Sequence, residues 1–81
     1  MTTKTANHIF VMLMQDAEEK RACLKMIREE YEYAKTVGDT ELMRSMKSVA
    51  KRLTAALLET EEALNDICGM VDAAAEHNER G

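Results

Sequence analysis

In 81 residues the chain has no proline, no tryptophan, three glycines, two cysteines, two tyrosines and one phenylalanine. Each scarcity excludes something. Two cysteines cannot staple a disulfide scaffold. Three scattered glycines form no phosphate-cradling loop. An aromatic content of 4% leaves little for stacking nucleic-acid bases. No apolar run approaches the roughly 18 residues of a membrane span. The run from Ile9 to Met14 is short, is followed by charges and lacks a small-residue cleavage pattern, so no signal peptide is expected. A cytoplasmic protein with reduced Cys23 and Cys68 is predicted. The net charge of −4 excludes a globally basic nucleic-acid binder. The hydrophobic content of 46% argues against disorder, and the length allows one small domain.

With so little punctuation, one break stands out, at Val37-Gly38-Asp39-Thr40. Gly38 suits the left-handed position just past a helix end. Asp39 suits the N-cap of the next helix, and Glu41 would face its positive end. A stop followed at once by a start predicts a helical hairpin. Helix 1 is expected over about 7–37, with Thr5 or Asn7 as its cap, the turn at 37–40 and helix 2 over about 40–77. Residues 1–5 and 78–81 are expected to fray.

Apolar spacing supports this all-α reading. Phe10, Leu13, Ala17, Leu24, Ile27, Tyr31 and Ala34 recur every three or four residues, interrupted by Lys20. Leu42, Met46, Val49, Leu53, Leu57, Thr60, Leu64, Ile67, Val71 and Ala75 form a second stripe. Leu42, Leu53, Leu64 and Ala75 recur every 11 residues, a period that favours a nearly straight helix. Gly69 leaves two readings open, a bend or a short third helix after it. Symmetry about the turn sets Leu24 opposite Leu53, Leu13 opposite Leu64 and Phe10 opposite Ile67, and Lys20 opposite about residue 57. The lysine stem would pack in the seam while its ammonium reaches Glu61 or water. Cys23 and Cys68 fall at opposite ends, too far apart to pair, and read as packing residues. The methionines read mainly as core filler.

Two helices bury one stripe each, and apolar residues remain. Ile9, Val11, Met12 and Met14 wrap round helix 1, while Ala55, Leu58, Ala63 and Met70 lie off the stripe of helix 2. This surplus predicts a homo-oligomer, with a dimeric four-helix bundle favoured and Ile9, Phe10, Leu13, Met14, Leu64, Ile67 and Val71 at its interface.

Charge is segregated. Residues 1–19 carry one base and three acids, residues 20–52 nine and five, and residues 53–81 one and seven. The hairpin therefore has a basic turn half and an acidic open half. Arg21 and Arg28 lie on one side of helix 1, and Arg44, Lys47 and Lys51 share a face of helix 2. Pairs such as Lys25–Glu29 and Glu32–Lys35 would absorb part of the basic charge. Glu59, Glu61, Glu62 and Asp66 form the acidic block. Glu59, Glu62 and Asp66 also have the spacing with which helical pyrophosphohydrolases hold magnesium, but their partner pair, Glu29-Glu30, falls far along the hairpin. Glu76-His77 has the wrong spacing for a di-metal site. No metal, cofactor or catalytic residue is predicted.

In size, plain helical composition and charge segregation the chain resembles small accessory proteins of phages and mobile elements, some of which inhibit host complexes. The resemblance spans the whole chain in general character and rests on no motif. It implies a non-enzymatic protein that inhibits or regulates a larger complex. The residues predict the same class, an interaction module that binds a larger protein through Arg21, Arg28, Arg44, Lys47 and Lys51. Alternatively Glu59, Glu61, Glu62 and Asp66 would mimic nucleic-acid phosphate. The second reading is a nucleotide or nucleic-acid binder using the basic set. The third is a metal-dependent pyrophosphohydrolase.

Overall fold

A computed structural model describes residues 2–80, with the side chains of residue 2 and residues 4–70. Two helices, α1 (Thr3–Val37) and α2 (Thr40–Arg80), pack against each other as an all-α hairpin. Helix α1 begins at Thr3, before the expected residue 7. Its cap is Thr2 in place of Thr5 or Asn7, because the Thr2 hydroxyl accepts a hydrogen bond from the Thr5 N–H at 3.2 Å. Helix α2 runs unbroken through Gly69, so no third helix follows it among the described residues.

The turn is built from backbone bonds. Gly38 has φ 76° and ψ 23°. Its N–H reaches the Lys35 carbonyl at 3.4 Å, and the Asp39 N–H donates to the Ala34 carbonyl at 2.9 Å. This paired arrangement satisfies carbonyls that a helix end leaves without partners. Asp39 then opens α2, its Oδ1 accepting from the Leu42 N–H at 3.0 Å. One residue thus closes one helix and caps the next, which makes the connection abrupt and the helices antiparallel.

The seam is narrow. Ala6, Ala17, Ile27, Ala34 and Ile67 are the buried apolar residues among those described, and Thr60 is the buried polar one. No large side chain among them is fully buried. The hairpin measures 64 × 15 × 13 Å, with a radius of gyration of 18.3 Å. A compact chain of this length would have a radius near 12 Å. Its accessible surface is 6337 Å², against about 4,900 Å² for a compact monomer of its mass. Roughly 1,400 Å² of surface is therefore in excess of what a self-sufficient globule would expose.

That excess corrects two expectations. Met12, Met14, Met26 and Met70 are exposed, so those methionines are not core filler. Cys23 and Cys68 are also exposed and unpaired instead of packed. The cause is the same for both: each helix has one neighbour, and a single seam covers only one stripe of each.

Candidate functional site

Two features stand out, a polar cluster inside the seam and a basic groove beside it. The cluster joins Lys20, which interrupts the first stripe, to Thr60 of the second. Lys20 Nζ donates to Thr60 Oγ1 at 3.1 Å and also pairs with Asp16 one turn back on α1. Thr60 Oγ1 lies 3.0 Å from Asp16 Oδ2 and 3.1 Å from the Ala56 carbonyl, so its one proton is shared between them. The lysine reaches residue 60, beyond the expected level of residue 57, because helical side chains lean toward their own N-terminus. Its ammonium goes to Asp16 and Thr60 and not to Glu61. The Lys20 hydrogen bond, then that of Thr60, holds the Asp16 carboxyl below its ordinary value of 3.8. No buried side-chain nitrogen or oxygen among the described residues lacks a partner. The cluster is a satisfied clamp.

The groove lies in the turn half. Leu24, Ile27, Arg28 and Tyr31 of α1 line one wall, at the spacing of one helix face. Met46, Lys47, Ala50 and Thr54 of α2 line the other. Its volume is about 340 Å³, with an apolar floor and one basic side chain on each wall. Arg28 and Lys47 are exposed and form no ion pair among the described residues.

The other charged candidates divide. Arg44 and Lys51 are exposed on α2. Arg21 stands apart from the basic half, because its Nη2 lies 3.4 Å from Glu61 Oε1 across the seam. That contact takes one member from each predicted charge block and joins the two. The expected pairs Lys25–Glu29 and Glu32–Lys35 do not form; the ion pairs among the described residues are Lys20–Asp16 and Arg21–Glu61. The basic charge of the turn half is thus less neutralised than the spacing suggests. Glu59, Glu62 and Asp66 are exposed. Among the described residues no three His, Cys, Asp or Glu side chains come together as a metal site.

Of the predicted interface residues, Ile67 is buried within the hairpin itself, while Ile9, Phe10, Leu13 and Leu64 are half-buried and Met14 is exposed. The Val71 side chain lies outside the described residues. Residues the sequence reading passed over are Asp16 in the clamp and Leu24, Ile27, Tyr31, Met46, Ala50 and Thr54 in the groove. Asp16 had a signal, its place one turn before Lys20. Leu24, Ile27, Tyr31 and Met46 had none beyond membership of the stripes, and Ala50 and Thr54 had none at all.

No helix among the described residues is long and apolar enough to cross a membrane. No protein-family model matches the chain, and neither a curated protein nor a solved structure matches it.

Proposed function

We propose that this chain is a non-enzymatic protein-interaction module whose binding face is the basic groove of the turn half. Its ligand is an acidic amphipathic helix of a larger protein, whose complex it would regulate. The observation that carries the reading is the groove itself, where apolar side chains lie between Arg28 and Lys47. An apolar channel with a cation on each wall suits a helix with leucine-type anchors and flanking carboxylates. The excess surface supports the same reading, since a hairpin with one narrow seam gains stability by covering more of itself.

The test is a peptide-display selection on the intact protein. Enrichment of acidic helices with anchors at three- and four-residue spacing, lost in the Arg28→Glu/Lys47→Glu variant, supports the proposal. Enriched peptides without that pattern, or binding unchanged in the variant, refutes it. A second reading uses the same groove for a phosphate-bearing nucleotide. It is favoured by Tyr31 beside Arg28 and Lys47 in a volume at the small end for such sites. A thermal shift with nucleotides, absent with acidic peptides, would select it.

A further inference from the structure

The outward face of α2 carries a charge pattern that is its own complement. At about 100° per residue, Arg44, Lys47, Lys51, Ala55, Leu58, Glu59, Glu62 and Asp66 fall within one arc, opposite the seam. All are exposed, and none is in an ion pair among the described residues. Between residues 44 and 66 the charged positions of this arc are basic before Ala55 and acidic after Leu58. The distances match about Ala55. Lys51 lies four residues before it and Glu59 four after, while Arg44 lies eleven before and Asp66 eleven after. Lys47 is eight before and Glu62 seven after. Arg44, Ala55 and Asp66 also repeat at the 11-residue interval that keeps positions aligned along a straight helix.

We infer that α2 pairs antiparallel with α2 of a second copy, about a two-fold axis at Ala55. A two-fold interface makes residue i contact j while j contacts i. Arg44 then meets Asp66 of the other copy, Lys51 meets Glu59 and Lys47 meets Glu62, once at each end. In the parallel arrangement bases would face bases and acids would face acids. The small Ala55 lets the helices approach at the axis. Leu58, a large apolar side chain left 55% exposed among charges, gains cover there. The contact spans residues 44–66, roughly 33 Å of helix at 1.5 Å per residue. This arrangement buries a different face from the open-end apolar set read from the sequence. It leaves the α1 wall of the groove uncovered and draws Lys47 of the α2 wall toward Glu62 of the second copy, so the two proposals share that one residue.

The experiment uses two variants of the full chain that spare the groove. Arg44→Glu/Lys51→Glu makes the stripe acidic at both ends. Glu59→Lys/Asp66→Lys makes it basic at both ends. Light scattering is expected to show wild type as a dimer, each variant alone as a monomer, and their equimolar mixture as a one-to-one dimer. Dimerisation of wild type should weaken by about tenfold or more between 50 and 500 mM salt, because exposed charge pairs are screened. A monomeric wild type, variants that still dimerise alone, or a mixture that stays monomeric would overturn the inference. Circular dichroism confirms that each variant is helical. Should either fail that check, Ala55→Cys in a chain with Cys23→Ser and Cys68→Ser decides the matter. Under oxidised glutathione it should cross-link to a dimer, whereas Val37→Cys in the same background should not. Equal cross-linking at both positions would refute the inference.

Discussion

Two glycines sit in this chain where the same substitution should act with opposite sign. At Gly38 φ is 76°, a region that costs an L-residue about 1–2 kcal/mol. A Cβ there meets nothing within 4 Å, so no steric clash adds to the conformational cost. Alanine also restricts the unfolded chain, which returns about 0.4–1 kcal/mol. The net expectation for Gly38→Ala is a loss of about 1 kcal/mol. Gly69 lies inside α2, and a Cβ there also meets nothing within 4 Å. Gly69→Ala should therefore gain about 0.8–1 kcal/mol from helix propensity alone. In a domain of this size each change corresponds to roughly 4–8 °C in melting temperature. Urea and thermal unfolding followed by circular dichroism, at one fixed protein concentration, measure both. A stabilising Gly38→Ala would contradict the left-handed turn. A destabilising Gly69→Ala would reveal a close backbone approach that the hairpin alone does not contain.

The seam clamp yields two further expectations, and the ion pair across the seam a third. Thr60→Val keeps the shape but removes the hydroxyl that links Lys20 to Asp16, and urea unfolding should show a loss of about 1 kcal/mol. Because the folded-state pKa of Asp16 is lowered, the unfolded chain binds more protons in that range, so stability rises with pH. The stability difference between wild type and Asp16→Asn should be fully present above the ordinary carboxylate value of 3.8 and shrink as pH falls through the lower folded-state value. A difference constant down to strong acid would contradict the clamp. A double-mutant cycle on Arg21→Ala and Glu61→Ala should return no more than about 0.5 kcal/mol, because both partners are roughly half-exposed at 3.4 Å.

Much of the fold was legible because its signals are local. Gly38 and Asp39 act through their own backbone and side chain, and the structure uses both as the sequence predicts. The two stripes announced the seam, and Lys20 of the first meets Thr60 of the second in it. The helix start was misjudged because Thr2, Thr5 and Asn7 are equally able to cap, and only backbone geometry chooses among them. Asp16 escaped notice because it lies off the apolar stripe. The groove was illegible for a deeper reason. Its volume depends on where Leu24, Tyr31, Met46 and Ala50 leave space between two helices, and no periodicity encodes a gap. Met26 and the two cysteines were misread as packed, whereas the surplus that includes Met12, Met14 and Met70 was legible as surface one chain leaves without cover.

The mass of the wild-type particle bears most directly on that last point. Light scattering of the intact protein at low salt should give twice the 9.2 kDa of one chain. A particle of 9.2 kDa at every concentration would contradict it, leaving the outward face of α2 without a partner of its own kind.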